Sequence, residues 1–294
     1  MSKLYKRIFA LVCAAVLLAG CFGLPALAAE GGSGSLNETA PLVLSCTEVP
    51  LYIDNIFLGS GLMMDSVTYV PLLSFTEYML QDVCDVHWHQ ESGTATLVSD
   101  ALTITLTTDD EYMVANDRYL YLEEGAYNIN GTIVVPITAL AKIFNLQLVM
   151  DDEAWAIHID DSAREILAYG SEFYNADDLY WLSHVIYSES GNQPMAGMIG
   201  VGNVVLNRAN DGTGIFRDTI VGVIFQPGQF DVAASGTIYL TPSEDAVIAA
   251  KLCLEGYNTV GESKWFLNPR IAQDTWIQRN RIFACSIASH DFYV

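Results

Sequence analysis

Ser183-His184-Val185-Ile186-Tyr187-Ser188-Glu189-Ser190 runs into Ala196-Gly197-Met198-Ile199-Gly200-Val201-Gly202-Asn203-Val204-Val205-Leu206, and residues 190–207 hold no charge at all. Leu182, Val185, Ile186 and Glu189 stand at i, i+3, i+4 and i+7. A helix over them puts one carboxylate on the same stripe as three aliphatic side chains. Asp177 or Asp178 is placed to cap that helix. The next helix is apolar on every side, which predicts burial on every side. Its glycines at 197, 200 and 202 cost helix propensity, so neighbours are expected to approach its backbone closely. A carboxyl group at the end of an apolar stripe faces a core or a cleft. Desolvation there raises its pKa, as a general acid near neutral pH requires. The plainer alternative makes Glu189 a solvated residue at a fraying helix end.

Upstream the texture changes. From residue 42 to 160 the pattern is mostly β. Leu102, Ile104 and Leu106 alternate with Thr103, Thr105 and Thr107, the signature of a half-buried strand. Two stretches look like copies of one unit. Tyr69-Val70-Pro71-Leu72-Leu73-Ser74-Phe75 leads into a helical stretch to Leu80 and a strand-like one over 85–98. Val134-Val135-Pro136-Ile137-Thr138-Ala139-Leu140 leads into a helical stretch to Phe144 and a strand-like one over 146–159. Proline suits the first helical turn, where its missing N–H has no partner to lose. His87 and His89, two apart on a strand, share a face, but no third ligand is evident nearby. Residues 161–176 read as the join between the two halves, and residues 177–294 as the second domain. The fold class expected is α+β, a β-rich domain followed by an α-rich one.

The chain of 294 residues carries 13 basic and 35 acidic side chains, a net charge of −22. Such a surface repels phosphate backbones and excludes nucleic-acid binding through a basic footprint. It also argues against electrostatic docking on anionic lipid. Lys3, Lys6 and Arg7 precede an apolar run over 8–19, and Ala26-Leu27-Ala28 offers a small-x-small cleavage site. Residues 1–29 therefore read as an export signal. Leu18-Ala19-Gly20-Cys21 resembles a bacterial lipobox, and cleavage there would leave a lipid anchor at Cys21. Residues 30–41 are rich in Gly and Ser and read as a flexible linker. The expected location is extracellular or wall-associated. Export permits disulfides among Cys46, Cys84, Cys253 and Cys285, in three pairings that the sequence does not separate. Four buried thiols are the alternative.

The duplicated Val-Pro unit resembles the stalk domain of exported bacterial proteins, the copper amine oxidase N-terminal-like domain, over roughly residues 49–160. That resemblance implies a spacer, not catalysis, and its name does not imply copper here. The Ser183–Ser190 motif, Gly197 and Val204-Val205-Leu206-Asn207-Arg208 are similar to the spore cortex-lytic enzyme SleB family of cell-wall hydrolases. The similarity continues through Thr219-Ile220-Val221-Gly222-Val223-Ile224-Phe225, Pro227-Gly228-Gln229-Phe230, Trp265-Phe266-Leu267-Asn268-Pro269 and His290-Asp291-Phe292-Tyr293. What it implies is a lysozyme-like domain that cleaves peptidoglycan glycan strands between N-acetylmuramic acid and N-acetylglucosamine. The resemblance places Glu189 at the family's catalytic glutamate and implies a lytic transglycosylase. A transglycosylase needs only one carboxyl group, as acid and then as base, whereas an ordinary glycosidase uses two. Asp211, Asp218 and Asp231 lie in later turns from which one could approach Glu189.

Sugars present apolar faces ringed by hydroxyls, which suits aromatic and amide side chains. Gln229, Phe230, Tyr239, Trp265 and Asn268 are the candidates for the groove, with core packing the alternative for Phe230 and Trp265. Neither metal nor cofactor is called for, and the chain reads as a monomer. Two rival readings remain: a zinc amidase using His184, Glu189 and His290, and a non-catalytic wall-binding protein. His184 and Glu189 are five apart and fall on different helix faces, and no His-Glu-x-x-His motif occurs, both of which count against the amidase.

Overall fold

The computed structural model describes residues 46–108, 110–122, 125–272 and 276–294. The stretches expected to be an export signal, a lipobox-like segment and a linker at 30–41 lie outside the described residues. The chain divides into two compact units, one of residues up to 116 together with 121–167, the other of 117–120 together with 168–294. Among the described residues no helix is long and apolar enough to cross a membrane.

The strands in chain order begin with β1 (Thr47–Ile53), β2 (Ile56–Met64) and β3 (Val67–Pro71). Asp54-Asn55 and Asp65-Ser66 join them, all four with positive φ, in two-residue turns whose twist matches that of paired strands. Helix α1 (Leu72–Leu80) precedes β4 (Asp85–His89), β5 (Thr94–Val98), β6 (Thr103–Thr107) and β7 (Tyr112–Ala115). After β8 (Arg118–Tyr121) come β9 (Tyr127–Ile129), β10 (Thr132–Pro136), helix α2 (Ile137–Phe144), β11 (Gln147–Asp151) and β12 (Ala156–Asp160).

Seven strands form one sheet in the order β11-β12-β1-β2-β3-β10-β9. The two Val-Pro copies meet where β3 pairs with β10, one strand in from the β9 edge. Val70 pairs with Val135, Pro71 with Val134 and Tyr69 with Pro136, so a local two-fold passes between the two valines. Pro71 and Pro136 each end a strand and serve as N-cap rather than standing in the first helical turn. Helices α1 and α2 both stop at a left-handed residue, Gln81 and Asn145. The copies diverge afterwards: β11 and β12 join this sheet, whereas β4 and β5 begin an antiparallel meander with β6 and β7. Leu102, Ile104 and Leu106 are buried and the threonines between them are not, as the alternation predicts. His87 and His89 are exposed on β4 and pair with Thr96 and Thr94.

The second unit contains α3 (Gly170–Phe173), α4 (Ala176–Ser190), α5 (Met195–Ala209), α6 (Ile220–Ile224), α7 (Asp231–Ser235) and α8 (Glu244–Leu254). A sheet of β13 (Trp265–Leu267), β15 (His290–Tyr293) and β14 (Phe283–Ile287), with α9 (Trp276–Asn280) before it, completes the fold. Helix α5 is the core element, packed by α4, α8 and the β-sheet side chain Phe292. The glycines explain the fit. A Cβ on Gly202 would lie 2.6 Å from Cys253 Sγ, and one on Gly200 2.9 Å from Phe292 Cζ.

Helix α5 is less uniformly apolar in its contacts than its composition suggests. Asn203 Nδ2 donates to the Tyr257 carbonyl at 2.7 Å, Asn207 Nδ2 to Gly261 and Ser263, and Arg208 Nε to Lys264 at 2.7 Å. These bonds tie the 257–264 loop, and hence β13, to the central helix.

The second half of the expected joining stretch folds with this unit. Arg118 makes a bidentate pair with Glu255, at 2.8 and 2.7 Å, and Tyr174 donates to the same carboxylate at 2.9 Å. The Arg118 guanidinium also sits 3.4 Å from the Phe173 ring centroid. The cap of α4 is Asn175, not an aspartate; its Oδ1 accepts from the N–H groups of Asp177 and Asp178, which occupy the first turn. Among the described residues the four cysteines are free thiols, with Cys84 and Cys253 buried and Cys46 and Cys285 half-buried.

Candidate active site

Glu189 stands in the last turn of α4, one residue before the helix ends. Leu182, Val185 and Ile186 below it are wholly buried, so the stripe faces the core as expected. The carboxyl group itself is half-buried and opens on a cavity of about 1290 Å³. Burial pushes its pKa from 4.5 to about 7; the Asp231 charge adds to the rise and the Arg208 charge opposes it. The position near a helix C-terminus works in the same direction, because the carbonyl ends disfavour a second negative charge.

The sequence candidates separate by position. Gln229, Phe230, Trp265 and Asn268 all line the cavity with Glu189. Gln229 lies in a turn closed by its own N–H donating to the Gln226 carbonyl, with Gly228 at φ 79°. Phe230 is buried, so packing and lining are both its work. Tyr239 is not among the lining residues. It is 62% exposed and packs edge-on against Trp181, 6.2 Å between centroids. Its neighbour Leu240 lines the cavity instead. Of the three aspartates weighed as partners, Asp231 alone lines this cavity. Asp211 is held by Lys264 Nζ at 2.5 Å, and Asp218 lines a separate, smaller pocket.

The cavity also takes lining residues from outside the expected groove set. Arg208 is 5% exposed and lies beneath Phe216 and Phe230, with its guanidinium 5.3 and 5.0 Å from their centroids. Burial lowers its pKa to about 10, and Glu189 opposes the fall. Arg281, Trp276 and His290 also line the cavity. Burial lowers the pKa of His290, which packs edge-on to Phe266. His184 is turned elsewhere: its Nδ1 donates to the Ile238 carbonyl at 2.8 Å, and it does not line the cavity. Among the described residues no group of three His, Cys, Asp or Glu side chains is arranged to hold a metal.

The family model of the cell wall hydrolases matches residues 192–293. The matched residues all fall in the second unit. The match begins at Asn192, so Glu189 lies just before the matched segment and its role rests on the geometry above. In the first unit, residues 57–159 match the model of the copper amine oxidase N-terminal domain. The chain is 36% identical over 104 residues to a spore cortex-lytic enzyme of Bacillus cereus, a span of 35% of this chain and 39% of that enzyme. The enzyme of the same name from Bacillus subtilis is 32% identical over 104 residues, 35% of this chain and 33% of the relative. The chain thus spans well under half the length of the curated relatives it matches. The catalytic domain of the germination-specific lytic transglycosylase SleB of Bacillus anthracis is 34% identical, with 41% of this chain and 97% of that one covered and a TM-score of 0.38.

Proposed function

We propose that this protein is exported and cleaves the glycan strands of peptidoglycan as a lytic transglycosylase, with Glu189 as acid and then base. The observation that carries the reading is the half-buried Glu189 carboxyl, which opens on the large cavity and whose pKa burial pushes up to about 7. A carboxyl group with that pKa is still substantially protonated at neutral pH, where an ordinary glutamate is not. The relatives' printed names, spore cortex-lytic enzyme and lytic transglycosylase, point the same way.

Glu189 delivers its proton to the bridging glycosidic oxygen as the C1–O bond breaks, and the leaving strand departs as an alcohol. The carboxylate so formed accepts the proton of the muramyl sugar's own hydroxyl, whose oxygen closes on C1 to give the anhydro end. Arg208, buried beside the carboxylate, stabilises the ionised intermediate stage. Phe230, Trp265, Gln229 and Asn268 supply the apolar and amide surfaces a sugar chain needs.

A second reading has one observation behind it. Asp231 lines the same cavity and its charge acts on Glu189, so a two-carboxylate hydrolase is the competitor. Mass spectrometry of peptidoglycan digested by the full chain separates them. Anhydro-muramic ends that vanish in Glu189→Gln support transglycosylation. Reducing ends that vanish in Asp231→Asn as well would replace it with hydrolysis. Released stem peptides would point to amidase chemistry, and no products at all would leave a binding protein.

A further inference from the structure

Arg281 lies over two indoles in the wall of the cavity. Its guanidinium carbon lies 3.9 Å from the Trp265 ring centroid and 4.8 Å from that of Trp276, and all three residues line the space that Glu189 faces. Stacking uses the faces of the guanidinium and leaves its N–H edges free. Those edges are nearly idle. Nη1 donates to the Asn280 carbonyl at 3.3 Å, and Nε is buried without a partner. Among the described residues no carboxylate pairs with Arg281, in a chain with 35 acidic side chains against 13 basic ones. Arg118 and Lys264, by contrast, both have acid partners. A planar fork, fixed in orientation, desolvated at one nitrogen and unpaired, is the arrangement that receives a carboxylate in two parallel hydrogen bonds.

We propose that Arg281 is a carboxylate-recognition point and sets the register of the bound glycan strand. The inference rests on the glycan-cleaving reading above. The two sugars of the strand alternate, and only the muramyl one bears a lactyl substituent, ending in a carboxylate or in a peptide with carboxylates of its own. A cation at a fixed place in the cavity therefore accepts every second sugar. It decides which of two similar bonds comes to rest at Glu189. The aromatic partners Trp265 and Trp276 hold the fork in place and offer no such discrimination themselves.

The test uses the full chain carrying Glu189→Gln, so that ligands bind without being cut. Calorimetry compares four soluble probes: an alternating tetrasaccharide with free lactyl carboxylates, its lactyl methylamide, the peptide-bearing form, and that form with its peptide carboxylates amidated. The expected result is that one acid binds roughly tenfold more tightly than its own amide, and that Arg281→Met abolishes the difference. Discrimination within the first pair identifies the lactyl group as the ligand, and within the second pair the stem peptide. Equal affinity for acid and amide in both pairs would overturn the proposal. So would an Arg281→Met variant that weakens acid and amide alike. If Arg281→Met does not fold, the acid-to-amide ratio of the Arg281 protein decides alone. Failure of all four probes to bind would overturn the glycan reading itself, and this proposal with it.

Discussion

Replacing Glu189 with glutamine should make the protein more stable at alkaline pH and not at acid pH. The folded state raises the carboxyl pKa from 4.5 to about 7, so it binds the proton more tightly than the unfolded chain does. Stability from this group is therefore complete below pH 4.5 and is lost as pH rises through about 7. The full difference is worth about 3.4 kcal/mol, of which about 2.5 kcal/mol is lost between pH 5 and pH 8.5. Water on the open side of the cavity screens part of it, which leaves roughly 1.5–2 kcal/mol. Glutamine keeps the shape and carries no charge to desolvate. Urea unfolding of the wild type and Glu189→Gln at pH 5 and pH 8.5 gives the comparison directly. The variant's advantage should grow by that amount between the two pH values. An advantage that stays the same at both would mean that the carboxyl group is not desolvated, and the argument for a general acid at this position would go with it.

Cleavage should require protonated Glu189, so the rate falls as pH rises above about 7, and Asp231→Asn should move that limb to lower pH by removing a like charge; pH–rate profiles of the two proteins check both. Gly202→Ala puts a methyl group 2.6 Å from Cys253 Sγ, and overpacking offset by helix propensity gives a net loss of about 1–2 kcal/mol. Cys253→Ala in the same chain should recover part of it in a denaturant double-mutant cycle. Arg118→Met strands the buried Glu255 carboxylate and should cost about 3–5 kcal/mol, seen as a lowered thermal midpoint of the second unit, whereas Arg118→Met with Glu255→Leu should cost much less.

The elements governed by local rules were legible in the sequence. Glu189 sits where the i, i+3, i+4, i+7 spacing puts it, the Thr-alternating strand buries its leucines and isoleucine, and Gly200 and Gly202 mark close approaches. The groove was only partly legible, because it is assembled from segments distant in the chain. Gln229, Phe230, Trp265 and Asn268 line it. Tyr239 does not, since a residue in a short 3₁₀ turn points where neighbouring packing sends it, here onto Trp181. Arg208 stands in one of the similarity motifs with no role attached to it there, and Arg281 stands in none. A lone arginine has no periodicity, and its meaning appears only when two aromatic rings from other segments close around it. The cap lies two residues before Asp177 and three before Asp178, because Asn175 caps well and leaves the aspartates' charges to the helix dipole.

The dyad between Val70 and Val135 has a consequence for how the first unit came to hold together. An edge that pairs with a copy of itself around a two-fold axis is what a small protein offers to a second molecule. Here both halves are carried by one polypeptide, so the pairing that two separate halves would make only at sufficient concentration is made at a local concentration set by the connecting chain. Duplication followed by fusion turns a dimer contact into interior. The folded population of this unit then no longer depends on how dilute the protein becomes.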